Sequence, residues 1–224
     1  MDIALALRLR VVARKSIPQF SNSIHYCLFL QRMFEVLFNN IKQKIQITEK
    51  EEEICRSLFI PKKLRKRQYL LQQGDVSKYT AFVEKGLLRA YVIDDNGSEL
   101  IMQFAPEGWW IGDMYSSVTG EPAESNIDAL EDSELLLLTN DGRDELLRQA
   151  PIFERFFRLL LQNSFIALQR RLKGNIIQSA EEKYKNFINL YPNIAQRVPQ
   201  HNIASFLGIT PESLSRIRKQ MADR

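Results

Sequence analysis

Histidine and cysteine are nearly missing from this chain of 224 residues, and their scarcity removes most metal and redox chemistry. His25 and His201 are too few and too far apart for a histidine-rich metal centre. Cys27 and Cys55 offer no CxxC spacing, no iron–sulfur quartet and no disulfide framework. No apolar run reaches the roughly 18 residues that a membrane span needs, and no low-complexity tract interrupts the composition. The sequence therefore predicts no metal, no cofactor, no membrane partner, and a reducing cytoplasmic setting.

The charge is present but unevenly placed. The formal surplus of +4 is carried by residues 1–32, which hold five basic residues and one acidic one. Residues 33–154 hold 14 basic against 22 acidic residues, and residues 155–224 hold 12 against 4. An acidic first part followed by a basic last part predicts a C-terminal surface that meets a polyanion, because neutralising phosphates needs clustered cations.

Residues 1–32 differ from the rest of the chain. Arg8, Arg10, Arg14 and Lys15 break the apolar run of MDIALALRLRVVARK, which makes it a poor secretory signal. The segment is expected to be an extension outside the core, with regular patterning starting at Met33. Residues 33–59 read as helical, with Phe34, Leu37, Phe38 and Ile41 recurring at i, i+3, i+4 and i+7. Thr48 and Glu51 have the spacing of a capping box that opens a second short helix, ending before Pro61.

From Leu64 to about Leu138 short β runs alternate with the turn sequences QQGD, EKG, DDNG, PEGW and TGEP. Asn96-Gly97 between alternating segments is the strongest hairpin signal in the chain. The regular recurrence of Gly74, Gly86, Gly97 and Gly108 fits the hairpins of a β-roll. Helical periodicity then returns. In residues 151–172 the apolar positions Phe153, Phe156, Phe157, Leu160, Leu161, Phe165, Leu168 and Leu172 cover an arc wider than one contact needs. One side is expected to cover the β-roll and the other to meet a second copy of the chain. A further helix runs through SAEEKYKNFINLY, and residues 192–199 read as a connector.

Residues 200–219, QHNIASFLGITPESLSRIRK, have the spacing of a helix-turn-helix. Ile203, Phe206 and Leu207 give the first helix an apolar face, Ala204 is small where the helices cross, and Gly208 marks the turn. Thr210 is a good N-cap and Pro211 suits the first helical position. Leu214 and Ile217 face inward, leaving Glu212, Ser213, Arg216 and Lys219 outward, with Arg218 at the flank. A glutamate can accept from cytosine's amino group, and an arginine can bond guanine's two major-groove acceptors. Lys219 and Arg218 are placed to neutralise phosphates. The blander possibility is a helical hairpin whose Glu212 and Arg216 form an exposed i, i+4 ion pair.

β-roll, long helix and helix-turn-helix in that order resemble the catabolite activator protein/FNR (Crp/Fnr) superfamily of transcription regulators. The resemblance runs from about Leu64 to Lys219 and is most specific in WWIGDM (109–114) and GITPESLSRIRK (208–219). It implies an α+β chain. A cyclic-nucleotide-binding-type β-roll with N-terminal helices would occupy 33–150, a dimerisation helix 151–174, and a helix-turn-helix DNA-binding domain 175–224. Gly112, Asp113 and Met114 stand where the family's phosphate-binding cassette lies. Glu212 and Arg216 match its base-reading pair, and Ser213 a neighbouring threonine. Three departures accompany the match. Glu124 stands where cyclic-nucleotide binders place an arginine, followed by Ser125 where Ser or Thr is expected. Pro211 replaces an arginine that helps position the recognition helix, and no wing is evident after Lys219. The cysteine count excludes the oxygen-sensing cluster of the FNR branch.

The implied partners are double-stranded DNA and a second copy of the chain, with RNA polymerase and an unidentified small-molecule effector as candidates. The rivals are a cyclic-nucleotide-responsive activator, a protein-interaction module using the same terminal helices, and a cupin-type enzyme. The last is disfavoured because the β-roll segment has no histidine. Between Arg89 and Arg143 there is no lysine or arginine but 12 acidic residues, so a cyclic phosphate would lack its ion pair unless Arg89 reached in from a neighbouring strand.

Overall fold

The computed structural model describes residues 33–222, so the extension expected over 1–32 lies outside the described residues. The chain adopts the expected α+β class. Two helices, α1 (Glu35–Lys42) and α2 (Glu49–Leu58), precede the sheets. The capping box forms as its spacing predicts: Glu51 N–H donates to Thr48 Oγ1 at 3.3 Å, and Thr48 N–H donates to the Glu51 carboxylate at 2.7 Å. Leu37, Phe38 and Ile41 are buried in one cluster with Phe82, Leu136, Leu146, Phe153 and Phe156.

The β-roll contains β1 (Phe59–Leu64), β2 (Tyr69–Leu71), β3 (Tyr79–Lys85), β4 (Leu88–Ile93), β5 (Glu99–Ala105), β6 (Trp110–Ile111), β7 (Asn126–Ala129) and β8 (Ser133–Thr139). They form two four-stranded sheets, ordered β1-β8-β3-β6 and β2-β7-β4-β5, with antiparallel pairing throughout. Leu70, Val83, Leu88, Ile127, Leu135 and Leu137 fill the space between them. Sheet structure begins at Phe59, earlier than the expected Leu64. Pro61 is tolerated there, opposite Leu136, because β1 is an edge strand and bonds on one side only. A short helix that the turn signals did not predict, α3 (Met114–Thr119), follows β6 because Asp113 caps it.

The β4–β5 hairpin turns at the predicted Asn96-Gly97. Asp94 N–H donates to Ser98 O at 3.0 Å, and the Asp94 carboxylate accepts the amides of Asn96 and Ser98 at 2.9 and 2.8 Å. Further along the pair, Ala90 faces Gln103 while Tyr91 faces Ile101, so Met102 is an extra residue in a β-bulge. The bulge puts both Ile101 and Phe104 on the outer face of this sheet, where they join Leu87 and Tyr91 in a third cluster.

Helices α4 (Asn140–Gln149) and α5 (Ile152–Ile177) follow. At the start of α5, Phe153 and Phe156 are buried. Beyond them Leu161, Phe165, Leu168, Leu172 and Ile176 are exposed, Phe165 to 60%. The last part consists of α6 (Ala180–Leu190), α7 (Pro192–Arg197), α8 (Gln200–Leu207) and α9 (Pro211–Ala222). The segment read as a connector thus holds a helical turn and a half, with proline at its first position. Phe187, Ile194, Val198, Ile203, Leu207, Leu214 and Ile217 complete the third cluster, so these helices share one core with the outer face of β4 and β5.

Candidate nucleic-acid interface

Helices α8 and α9 meet at a turn whose backbone explains its residues. Gly208 has φ +65°, a conformation that costs glycine little. Its amide and that of Ile209 both return to Ala204 O, the latter at 3.0 Å, which closes the end of α8. Thr210 then starts α9. Its hydroxyl accepts Ser213 N–H at 3.2 Å and lies 3.1 Å from Ser213 Oγ. Ala204 is fully buried beside Leu214 and Ile217, as the close helix crossing requires.

Of the residues predicted to face DNA, Glu212, Arg216, Arg218 and Lys219 are exposed on α9, whereas Thr210 and Ser213 are bonded to each other at its start. Among the described residues no ion pair joins Glu212 to Arg216, which disfavours the bland pairing. Ser215 was not singled out from the sequence. It is exposed at i+3 from Glu212 and adjacent to Arg216, so it shares their face. Helical spacing alone could have found it.

Of the residues assigned to the cassette, Asp113 and Ser125 are bonded to each other. Gly112 lies so close to β3 that a side chain there would meet Thr80 Cα at 3.4 Å. The Asp113 carboxylate accepts Ser116 N–H at 2.9 Å with one oxygen and Ser125 O–H at 2.7 Å with the other. Met114 and Glu124 are exposed. Arg89 does not reach this place. It lies on β4, and its guanidinium donates to Asp128 at 2.8 and 3.0 Å, to both oxygens of Glu99, and to Asn202 Oδ1 at 3.3 Å. Burial would lower its pKa, but the bonds to Asp128 and Glu99 outweigh burial and hold it above the ordinary value. The alternative in which Arg89 reaches the cassette from a neighbouring strand is disfavoured by these commitments.

The docking face between the β-roll and the terminal helices went unread in the sequence. Ser205 of α8 accepts Ile101 N–H at 2.9 Å and donates to Glu99 O at 2.7 Å, covering the free edge of β5. Arg171 of α5 donates to the carbonyls of Met102, Ile101 and Phe206 at 2.6, 3.0 and 3.2 Å. Burial lowers its pKa below the ordinary value. Arg197 of α7 forks onto Glu131 and Glu107 at 2.6 to 3.0 Å. Those bonds raise its pKa, and they hold Glu107 below the usual carboxylate range despite burial. No sequence period marks these residues, because their partners lie 35 to 106 positions away.

Known proteins resemble this chain in sequence and in fold. The cyclic nucleotide-binding domain family matches residues 61–150. The chain is 26% identical over 167 residues to the fumarate and nitrate reduction regulatory protein of Vibrio cholerae, covering 70% of this chain and 66% of that one. It is 25% identical over 170 residues to the regulatory protein HlyX of Actinobacillus pleuropneumoniae, covering 70% and 69%. The match thus spans about two thirds of those relatives. In fold it is similar to FixK2 from Bradyrhizobium japonicum, with a TM-score of 0.63, 16% identity, and coverage of 74% of this chain and 85% of that one.

Proposed function

We propose, because the chain belongs to the Crp/Fnr superfamily of transcription regulators, that it binds palindromic DNA as a dimer and reads bases with α9. The observation that carries this reading is the exposed face of Glu212, Ser215, Arg216 and Lys219, whose charged groups form no ion pair with one another. Glu212 and Arg216 would read base edges, and Lys219 and Arg218 would neutralise phosphates. Thr210 and Ser213, bonded to each other, would hold the start of α9 near the backbone. Selection of genomic fragments bound by the purified chain, followed by a salt titration, tests it. The expected result is a palindromic consensus and an affinity that falls steeply with salt. Binding that ignores sequence would refute it.

The exposed apolar row on α5 supports the second copy as partner. Phe165→Glu with Leu172→Glu should convert a dimer to a monomer in sedimentation at micromolar concentration; an unchanged mass would count against α5 as the interface. Residues 33–150, 151–174 and 175–224 are the proposed sensor, dimerisation and DNA-binding parts.

The same geometry supports a regulator that does not depend on cyclic nucleotides. Both oxygens of Asp113 are engaged within the protein, and Arg89 is committed elsewhere. A cyclic phosphate near Glu124 would face like charge, worth roughly 4 kcal/mol at 4 Å and an effective dielectric of 20. Calorimetry with cyclic AMP and cyclic GMP should detect no low-micromolar binding. The further proposed partners are RNA polymerase and an effector of other chemistry. Among the described residues no helix is long and apolar enough to cross a membrane, which is compatible with the cytoplasmic setting proposed. Similarity to regulatory proteins supports a non-enzymatic role.

A further inference from the structure

On the outer face of α9, Glu212, Arg216 and Lys219 form no ion pair with one another that could aim it. Its placement follows from α8, against which Leu214 and Ile217 pack, and α8 in turn rests on β5. The covalent connection between α5 and α6 offers little guidance. It consists of Gln178 and Ser179, both in extended conformation, whose hydrogen bonds go to Gly174 and Glu182 of the adjoining helix ends, and a connection that short can act as a hinge. Orientation of the DNA-reading helix therefore comes from the side chains between the terminal helices and the β-roll, those of α8 lying closest to α9 in the chain.

Beside the apolar cluster, the polar side chains that α8 presents to the β-roll, Asn202 and Ser205, both find partners there. A guanidinium has five N–H donors. At Arg89 the carboxylates of Asp128 and Glu99 take four, and Asn202 Oδ1 of α8 takes the one they leave. Tyr91 underlies the group at 4.3 Å. One turn further along α8, Ser205 bonds the Ile101 amide and the Glu99 carbonyl. Asn202 is 3% exposed, so its contact is desolvated, and a hydrogen bond to a buried charge is specific in direction as well as strong. Apolar packing alone would let α8 slide over β5, whereas two polar contacts at i and i+3 fix both its register and its rotation.

We infer that Asn202 and Ser205, held by Arg89 and the edge of β5, are positioning residues that set where the recognition helix stands and hence which half-site spacing the dimer accepts. This rests on the DNA-binding reading above. In a dimer bound to successive major grooves, the two helices must lie about 34–36 Å apart. A docked domain satisfies one spacing; an undocked one follows the DNA and tolerates several.

The dock itself is tested without DNA. In Asn202→Ala, hydrogen exchange at the Ile101 amide should rise at least about tenfold, although that amide bonds to Ser205 and not to residue 202. Unchanged protection of Ile101 would overturn the dock. The positioning role is tested with the full chain on duplexes whose half-sites are moved apart or together by one and two base pairs. Wild-type protein should prefer one spacing by roughly tenfold or more, and both Asn202→Ala and Ser205→Ala should flatten that preference. Binding to a single half-site should be unaltered. Ser205→Ala, at a half-buried position, supplies the answer should Asn202→Ala unfold. A spacing preference that survives in either folded variant would overturn the inference. Absence of sequence-specific binding by the wild-type chain would instead overturn the proposed function, with exchange at Ile101 still deciding the dock.

Discussion

The terminal helices have two polar faces that contrast in every respect. Where they meet the β-roll, Arg89 of β4, Arg171 of α5 and Arg197 of α7 are bonded to carboxylates, backbone carbonyls and one side-chain amide. Away from it, Arg216, Arg218 and Lys219 are exposed on α9. Matched cations hold a domain in place, and open ones are available to a ligand. The net basic charge of residues 155–224 therefore overstates the surface offered to DNA, because part of it is spent against the acidic β-roll.

The largest effect should come from breaking the matched side. Arg89→Met would leave Asp128, 7% exposed, as a buried charge without its partner. Loss of one partner from such a pair costs about 3–5 kcal/mol, so urea melts should show a large fall in stability. Arg216→Ala on the open side should leave the melt unchanged. It should instead cost about 1–3 kcal/mol of binding at one base pair per half-site and relax discrimination there. A stability loss at Arg216, or none at Arg89, would erase the distinction.

Glu84 sharpens the comparison because it is buried yet answered mainly by amides. Val36 and Leu37 at the start of α1 donate to its carboxylate at 3.1 and 2.8 Å. Burial nevertheless pushes its pKa up to about 7, against the hydrogen bonds from Leu37 and Val36, with Glu35 raising it and Arg56 lowering it. A folded value above the unfolded one makes this contribution fully present below about pH 4.5 and lost as pH rises through about 7. Between pH 5 and 8 stability should fall by up to about 2 kcal/mol. Glu84→Gln should flatten that slope in denaturant titrations. The smallest effect is expected at Lys219: its change to Ala should weaken all DNA sequences alike and lower the salt slope by about one.

Local signals were legible in the sequence, and distant ones were not. Thr48 with Glu51, Asn96-Gly97, and Gly208 followed by Thr210 and Pro211 each act within a few residues, so their geometry is readable from spacing. The apolar row of α5 was legible for the same reason. Pro61 hid the first strand because proline argues against a strand unless its edge position is known. Asp113 concealed α3, since an aspartate after a β run fits a turn as well as a cap. The dock escaped entirely, because a serine and an asparagine inside a helix-turn-helix carry no mark of the strand they will meet.

The extra residue in β5 has a consequence for exchanging parts between relatives. Met102 shifts the phase of the strand, which is why Ile101 and Phe104 can both face the terminal helices and why Arg171 finds the Met102 carbonyl. Compatibility between the two halves is thus written in backbone phase as well as in contact residues. A hybrid that joins these terminal helices to a β-roll lacking the extra residue would turn all the side chains of β5 on one side of that point to the wrong surface, however faithfully Arg89, Glu99 and Asp128 were transplanted. Deleting Met102 alone should uncouple the halves in the same way, making the strand itself, more than any one contact, the key that fits a given reading head to a given sensor.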